Sequence, residues 1–391
     1  MATESRTIRA APTRPRAKVA LEGGHPAMLV SIAVGALLVL GLIMILSASF
    51  VSSIESYGSA FLFFKKQVMW AAIGVAAFIV FSRLDYRRLK GWGYVLLAVV
   101  IVLLFAVLIP GLGVMVGGSS RWLRFGPIQL QPSELAKLAL VLFAADVFSR
   151  KEERKLRQFS HTFLPLIPAL GFLALLVMAQ PDMGTTLLLG VIGMGMLFVA
   201  GAPARYLLGL GVVGAAGAIT AALGEAYRRE RILAFLDPWS DPLNTGYQTI
   251  QSLIAMGSGG WFGVGLGASR QKWLYVPNAH TDFIYAILGE ELGLFGTLVV
   301  LGLFAFLGYL GIRIARAAPD RFGMLVATGI TIWITSQALV NIGAVTGALP
   351  ITGVPLPLVS FGGSSLVVSL IGMGILVNIA RQSKFVRTTK R

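Results

Sequence analysis

Residues 270 to 292 read RQKWLYVPNAHTDFIYAILGEEL and take the chain from a polar loop into a long apolar run. The polar part carries the cations Arg270 and Lys272 among aromatic residues, and Asp282 lies where the apolar part begins. A carboxylate at the mouth of a membrane-spanning helix is energetically unfavourable, so Asp282 is a candidate functional residue. The sequence equally allows a structural interpretation, in which Thr281 caps the helix and Asp282 complements the helix dipole.

The composition is that of an integral membrane protein. Of the 391 residues, 56% are hydrophobic and 13% are charged, and the mean hydropathy is +0.80. The absence of cysteine excludes disulfides, thiolate metal sites and cysteine nucleophiles, and three scattered histidines are too few for a typical histidine metal cluster. The net charge of +16 does not indicate a nucleic-acid partner, because the cations lie mostly in short loops between apolar segments.

Ten apolar segments predict an all-α polytopic membrane protein with about ten transmembrane helices. The segments span residues 27–50, 66–82, 92–110, 134–149, 162–179, 184–200, 204–223, 282–312, 322–346 and 361–380. The predicted membrane domain, residues 27–382, is flanked by a disordered basic tail at 1–26 and a short basic tail at 383–391. Most lysines and arginines fall on one side if the N-terminus is cytoplasmic, so both termini are predicted to be cytoplasmic.

Two irregular regions interrupt this pattern on the predicted outer side. Residues 224–281 form one large extracytoplasmic loop between predicted helices 7 and 8, with apolar and aromatic residues among the cations. Within it, residues 250–256 predict a short amphipathic helix, and the glycine-rich residues 257–267 predict a flexible turn region. Prolines between residues 341 and 366 exclude a regular helix there and favour a groove wall. Cations on this side go against the positive-inside rule and favour an anionic ligand.

Several charged residues near the predicted outer side are candidates for a site. Arg121 and Arg124, beside Trp122, are suited to bind a phosphate by bidentate hydrogen bonds or, equally, to form a solvated or lipid-headgroup-binding face. Glu134 and Lys137 are three residues apart on a helix and therefore predict an intramembrane ion pair. We favour that structural role, although a buried lysine can also face a pyrophosphate.

Four more residues with polar side chains lie near Asp282 or at a predicted turn. Asp182 follows a proline and predicts a turn and a helix cap. Glu290 lies eight residues beyond Asp282, at a helical phase that allows both to line one cavity wall. Glu291 would face a neighbouring helix instead. His280 could tune Asp282 or bind a lipid phosphate.

Five blocks of the sequence resemble the SEDS family of bacterial cell-wall polymerases, which comprises FtsW, RodA and SpoVE. The blocks are SRWLRFGPIQLQPSELAK (120–137), QPDMGT (180–185), DPWSDPLNTGYQTIQSLIAMGSGGWFGVGLG (237–267), AHTDFIYAILGEELGLFG (279–296) and LPITGVPLPLVSFGGSSL (349–366). They occur in the family's order and extend the resemblance over about residues 30–382. The SRWL, GEELG and GGSS segments resemble FtsW more than RodA.

The resemblance implies a peptidoglycan glycosyltransferase that polymerises lipid II for septal wall synthesis. Such an enzyme lies in the bacterial cytoplasmic membrane, faces outward and releases undecaprenyl pyrophosphate. The family's essential acidic residue falls on Asp282, which would be the general base of an inverting β-1,4 transfer. A divalent metal such as Mg²⁺ or Mn²⁺ is a further candidate. Candidate residues for pyrophosphate or sugar binding are Arg121, Arg124, Lys137, Arg270, Lys272, His280 and Glu290.

The resemblance also implies partners. These are lipid II, a class B penicillin-binding protein transpeptidase, other membrane proteins of the divisome and the lipid bilayer. Three alternatives stay open: a RodA-type polymerase for cell elongation, a lipid II flippase, and a scaffold that recruits the transpeptidase. Asp282 at the outer surface favours a polymerase, because a transporter needs charges through the depth of the bilayer.

Overall fold

The computed structural model describes residues 26–116, 119–126, 128–156, 158–224, 226–273 and 275–383. Three short strands, β1 (Gly113–Val116), β2 (Ser119–Phe125) and β3 (Ile128–Leu130), lie between α3 and α4. The predicted tails fall, except for Pro26 and Ser383, outside the described residues. The helices are α1 (Pro26–Tyr57), α2 (Leu62–Arg83), α3 (Trp92–Leu108), α4 (Pro132–Ser149), α5 (Glu153–Leu156), α6 (Phe159–Met178), α7 (Met183–Ala200), α8 (Ala204–Leu223), α9 (Ala226–Leu236), α10 (Tyr247–Ser258), α11 (Ile284–Ala317), α12 (Arg321–Val345) and α13 (Gly363–Gln382).

Each of the ten predicted apolar segments coincides with a helix. Within the described residues, α1, α2, α6, α7, α8, α11, α12 and α13 are long and apolar enough to cross a bilayer. Of the other two, α3 is shorter and α4 carries Glu134, Lys137 and Asp146. The prediction of a helical, polytopic membrane protein is confirmed, while the number of spans stays a prediction. In the large loop, the helix predicted at 250–256 is part of α10.

Successive long helices run in alternating directions, so their connections collect at two ends of the bundle. At one end, Ser252 Oγ donates to the carbonyl of Val345 (2.7 Å). At the opposite end, the N–H of Tyr86 donates to Asn378 Oδ1 (3.1 Å). We call the first end the loop end; its described residues are 58–61, 109–116, 119–126, 128–131, 179–182, 224, 226–273, 275–283 and 346–362.

The centre of the bundle is formed by α4, α12 and α13. Nearly every residue of α4 and α13 is buried, and α12 packs against both. By contrast, α8 lies at the edge and exposes Leu208, Val212 and Val213. An apolar helix with so much exposed surface is suited to face lipid on most sides.

A small antiparallel sheet, absent from the sequence-based prediction, covers part of the loop end. Its strands are ordered β1, β2, β3, and Leu123 lies opposite Leu130. Leu123 is buried whereas Arg124 is exposed, the alternation expected of a half-buried strand. The sheet holds Arg121 of β2 against the turn between α6 and α7.

Helix α11 is broken at Gly293, whose φ of +67° and ψ of −166° are not helical. Residues 259–265 fill the break and hydrogen-bond to the backbone N–H and C=O groups of α11 that the break would leave unpaired. A membrane segment requires such partners for its backbone. The glycine-rich region predicted to be a flexible turn is therefore an ordered plug, because a neighbouring helix break supplies its hydrogen bonds. Four N–H···O=C bonds of 2.9–3.1 Å join Val264 to Glu290, Gly265 to Glu291, Leu294 to Gly260 and Phe295 to Trp261.

Candidate active site

Asp282 lies in a tight turn at the loop end, immediately before α11. The N–H groups of Thr281 and Phe283 donate to the carbonyl of Asn278 (3.0 and 3.4 Å). The backbone φ of Asn278 is +57°. Phe283 occupies the N-cap position of α11, and the Thr281 hydroxyl donates back to the Asn278 carbonyl. Thr281 therefore does not cap the helix. Among the described residues, the Asp282 carboxylate has no hydrogen-bond partner.

Asn341 of α12 and Ser360 of the irregular segment between α12 and α13 hold this turn by donating to its backbone carbonyls. Asn341 Nδ2 donates to the carbonyls of Asp282 and Val354 (both 2.8 Å). The hydroxyl of Ser360 donates to the carbonyl of Thr281 (2.6 Å). A Cβ added to Gly353, whose φ is +70°, would lie 3.6 Å from Asp282 Oδ2. The segment predicted to be a groove wall thus lies directly against the carboxylate.

Three charged side chains act on Asp282 through space: Arg121, Asp182 and Arg231. Arg121 Nε donates to the carbonyl of Gln180 (3.1 Å), and its Nη2 donates to that of Pro181. Arg231, on α9, donates to the carbonyl of Ile351 (3.4 Å). The two guanidinium groups therefore come from distant parts of the chain and flank the turn that carries Asp282.

Asp182 is the helix cap that the sequence predicts. Its Oδ1 accepts the N–H of Thr185 (3.1 Å), and its Oδ2 accepts the Thr185 hydroxyl (2.9 Å). Thr185 therefore holds the Asp182 carboxylate in place, and Asp182 contributes negative charge to the site.

Burial raises the pKa of Asp282 to about 6, and the negative charge of Asp182 adds to this rise. The positive charges of Arg121 and Arg231 oppose it. The carboxylate is ionised at neutral pH but more basic than an ordinary aspartate. These are the properties of a general base.

A groove runs past this group of charges. One cavity, of about 100 Å³, is lined by Arg121, Gly184, Arg231 and Thr352 among others. A second, of about 410 Å³, lies among α9, α10 and residues 349–351 and shares Arg231 with the first. Two adjoining cavities flanked by guanidinium groups can accommodate anionic and sugar-bearing ligands.

The structure places Lys137 outside this groove. The residue is fully buried in α4, where its Nζ contacts Glu134 Oε1 and Gln337 Oε1 (both 2.8 Å). Its ammonium also lies 5.5 Å from the ring centroid of Trp333. The predicted intramembrane ion pair is thus present, and Lys137 is not available to a pyrophosphate in this arrangement.

We expect Lys137→Met to destabilise the protein by about 3–5 kcal/mol, because it leaves the Glu134 carboxylate buried without a counter-charge. Chemical denaturation of the purified protein in detergent measures this loss. The double variant Glu134→Gln, Lys137→Met should recover most of it, since no uncompensated charge remains. Equal losses in the single and double variants would contradict the pairing.

Two other predicted ligands, Lys272 and Glu290, hold the loop before the turn onto the helix bundle. Lys272 is buried and its Nζ contacts Glu291 Oε1 (3.3 Å) and Ser47 Oγ (3.1 Å) of α1. Glu290 is buried and accepts the Ser269 hydroxyl and the backbone N–H of Arg270 (2.9 Å). The expectation that Glu290 lines the cavity with Asp282 is therefore wrong, because the loop occupies its carboxylate.

His280 packs against the rings of Phe63 and Phe361, with centroids 4.7 and 5.6 Å away. Burial lowers the pKa of His280 to about 4, so the imidazole is neutral at physiological pH. The interpretation of His280 as a phosphate-binding cation is not supported. Arg124 and Arg270 are exposed and do not line either cavity of the groove.

Arg231 and Asn341 are the residues of this arrangement that sequence reasoning missed. Arg231 is one of the cations in the large loop that oppose the positive-inside rule, and that signal did not separate it from its neighbours. Asn341 is an amide inside an apolar span, a position that requires hydrogen-bond partners and so marks a buried contact.

Within the part of the chain that the structure describes, the acidic and histidine side chains do not form a protein-only metal site. The described residues contain no group of three or more His, Asp or Glu side chains that could hold a metal ion. Asp182 has both oxygens bound to Thr185. The carboxylates at or near the groove, Asp182, Glu230 and Asp282, do not form such a group, so they do not fit a resident metal.

A sequence model of the family described as "Cell cycle protein", covering FtsW, RodA and SpoVE, matches residues 28–385. This match spans most of the chain. The chain belongs to the FtsW/RodA/SpoVE family. Stage V sporulation protein E of Bacillus subtilis is 44% identical over 361 residues, which are 92% of this chain and 98% of that protein.

Two further comparisons extend the family assignment. The probable peptidoglycan glycosyltransferase FtsW of Geobacter metallireducens is 44% identical over 349 residues, or 89% of this chain and 93% of that one. Among solved structures, a chain of a peptidoglycan synthase complex aligns with a TM-score of 0.73 at 31% identity. The alignment covers 90% of this chain and 97% of that one. The FtsW/RodA/SpoVE family membership thus rests on sequence and on fold.

Proposed function

We propose that the chain is a peptidoglycan glycosyltransferase that polymerises lipid II into glycan strands. One observation carries the proposal: a carboxylate of raised pKa, without hydrogen-bond partners among the described residues, lies beside a groove lined by Arg121 and Arg231. The relatives named as probable peptidoglycan glycosyltransferases support the reaction class.

In the proposed reaction, Asp282 accepts the proton of the 4-hydroxyl of the acceptor N-acetylglucosamine. The hydroxyl oxygen attacks the anomeric carbon of the donor N-acetylmuramic acid, and the bond from that carbon to the pyrophosphate oxygen breaks. The electron pair leaves with undecaprenyl pyrophosphate, and the configuration inverts. General-base assistance of this kind contributes about 10²–10⁴ in rate.

Arg121 and Arg231 would stabilise the charge that develops on the departing pyrophosphate. Both lie at the groove, and in the contacts described above their N–H groups donate to backbone carbonyls. Guanidinium groups bind phosphate oxygens in a fixed fork geometry, so small movements of the groove walls would suffice to engage the leaving group.

The distribution of charge favours a polymerase over a flippase. The two guanidinium groups and Asp282 lie at the loop end, whereas Glu134 and Lys137 within α4 neutralise each other. A flippase would need polar groups along its whole path across the bilayer. We further propose that the loop end faces outward from the cytoplasmic membrane, as the positive-inside rule predicts.

The closer similarity of several sequence blocks to FtsW supports a septal role, with a RodA-type elongation role as the alternative. The aligned synthase complex coordinates polymerisation and crosslinking. By analogy we propose that a class B penicillin-binding protein transpeptidase is the partner of this chain, and that other divisome proteins join them.

The direct test is polymerisation of fluorescent lipid II by the purified full-length protein, with and without a co-expressed transpeptidase. We expect products of many disaccharides that muramidase digests. Absence of polymer in both reactions, together with protein-dependent movement of lipid II across liposomes, would replace the polymerase with the flippase.

We expect kcat/KM to fall about ten-fold per pH unit below a midpoint near pH 6, because the proton then occupies the Asp282 base. Arg231→Gln should move the midpoint to higher pH, since Arg231 lowers the pKa of Asp282. Asp182→Asn should move it to lower pH, since Asp182 raises that pKa. Initial polymerisation rates across pH 4.5 to about 8.5 measure the shifts.

Arg124→Gln is the matched control for these pH profiles, because the exposed Arg124 is not among the groups that shift the pKa of Asp282. Its midpoint should equal that of the unmodified enzyme. If Arg231→Gln and Asp182→Asn moved the midpoint in the same direction, a group other than Asp282 would control the acid limb.

A further inference from the structure

The opposite end of the bundle carries a cavity that the proposed reaction does not use. Its volume is about 310 Å³, near the lower end of the range for ligand sites. It lies where the turn after α2, the last residue of α4 and the first turn of α12 meet. The cavity is lined by Arg87, Lys90, Ser149, Asp320, Arg321 and Phe322.

Three cations but one carboxylate line this cavity, and the carboxylate is already engaged. Asp320 Oδ1 accepts the N–H of Gly323 (2.8 Å), capping α12. Its Oδ2 accepts the hydroxyl of Tyr86 and the Nε of Arg87 (3.1 Å). Arg87 pairs with Asp320 (3.1 Å) and also with Asp85 (3.7 Å), which does not line the cavity. Neither Lys90 nor Arg321 forms a salt bridge with the described residues, so both can meet another anion.

Both of these cations retain hydrogen-bond donors. The side chain of Lys90 is exposed, and its amine makes no hydrogen bond to the described residues. Arg321 donates from Nη1 to the carbonyl of Lys151 and from Nη2 to that of Ala200 (both 3.3 Å). A guanidinium has five N–H groups, so donors remain on Arg321 after these contacts.

The cavity lies at the level where lipid headgroups would be. The apolar helices α3 and α12 both begin beside it. Trp92, two residues after Lys90, is 62% exposed, and exposed tryptophans mark the membrane–water interface. Phe322 lines the cavity, and its ring stacks on that of the buried Tyr86 with centroids 6.4 Å apart.

We propose that this cavity binds the phosphate group of an anionic phospholipid headgroup, with Lys90 and Arg321 as its main ligands. A headgroup bound there would bridge the turn after α2 to the start of α12. A phosphate diester of net negative charge matches Lys90 and Arg321, which have no salt-bridge partner among the described residues, whereas a zwitterionic headgroup brings its own cation. Free phosphate carries the same ligand chemistry, so the test separates the two sources.

The test uses the purified full-length protein in neutral detergent and follows its thermal unfolding temperature. Short-chain phosphatidylglycerol, short-chain phosphatidylcholine and inorganic phosphate are titrated separately at constant ionic strength. We expect phosphatidylglycerol alone to raise the unfolding temperature with saturation. Lys90→Gln should weaken the apparent affinity about five-fold, as expected for one cation near a headgroup.

Arg316→Gln is the matched control, because Arg316 is exposed in the last turn of α11 at the same end but does not line the cavity. Its affinity for phosphatidylglycerol should be unchanged. Equal losses in Lys90→Gln and Arg316→Gln would overturn the proposal in favour of diffuse surface charge. If inorganic phosphate saturated the site at the same concentration, the proposal that the phosphate belongs to a lipid headgroup would be overturned. Arg321→Gln should weaken phosphatidylglycerol binding more than Lys90→Gln does. If the Arg321 variant does not fold, the affinity of the Lys90 variant is the test of the proposal.

Discussion

Asp282→Asn should reduce lipid II polymerisation by about 10²–10⁴-fold while leaving the protein folded. The amide has nearly the shape of the carboxylate but cannot accept the proton of the attacking hydroxyl. The substitution removes no hydrogen bond, since the Asp282 side chain has no partner among the described residues. It also removes a charge whose burial is unfavourable in the folded state. The unfolding temperature at neutral pH should therefore be no lower than that of the unmodified protein.

Asp237→Asn provides the control for this substitution. Asp237 is an exposed acid of the same large loop, and its Oδ1 accepts the N–H of Trp239 (3.1 Å), which an asparagine oxygen can also do. We expect full polymerisation by this variant. Full activity of Asp282→Asn, measured as initial rate at saturating lipid II, would remove the base from the proposed mechanism and leave only the positioning of substrates by the groove.

Gly293→Ala should destabilise the protein by on the order of 3 kcal/mol, the second large effect that we expect. The φ of +67° at Gly293 is unfavourable for any residue with a Cβ. That Cβ would lie 2.4 Å from the backbone N of Gly263 and 2.6 Å from that of Phe262. Neither atom can move away without breaking the hydrogen bonds of the plug. Thermal unfolding and limited proteolysis of the loop at residues 257–267 measure the loss.

Gly302→Ala tests the same substitution on the same helix without the clash. A Cβ at Gly302 would meet no atom within 4 Å, and the residue has helical geometry. Alanine there should be neutral or stabilise the helix by about 0.5–1 kcal/mol. Equal destabilisation by both substitutions would mean that the break at Gly293 is not required for the fold.

Much of the fold could be predicted from the sequence because its signals are local. Apolar runs long enough to cross a bilayer predict helices wherever they occur, and prolines exclude a helix from the segment after α12. The pair of Glu134 and Lys137 is likewise local, since residues three apart on a helix are neighbours whatever lies around them. Asp282 is identified for a related reason, because it is a carboxylate at the start of a long apolar run. Its role as the base stays a prediction.

Other parts of the site depend on contacts between distant segments and left no local signal. Lys272 and Glu290 looked like ligands because they are charged and close to Asp282 in the sequence. Their partners, on α1 and in the loop itself, become visible only in three dimensions. In the same way, Arg231 reaches the groove because α9 folds back over residues 349–352, a placement that no periodicity encodes.

The turn that carries Asp282 is held by three successive peptide oxygens, those of residues 280, 281 and 282, which accept hydrogen bonds from Phe361, Ser360 and Asn341. Every amino acid has a backbone carbonyl, so the side chains next to Asp282 do not determine these hydrogen bonds. The position of Asp282 depends instead on the donors in residues 341–361, which are distant in the sequence. A chimaera that exchanged residues 341–361 between relatives would therefore also need the turn at residues 280–282 from the same relative. Without that turn, Asp282 would be displaced even though the residues next to it in the sequence were unchanged.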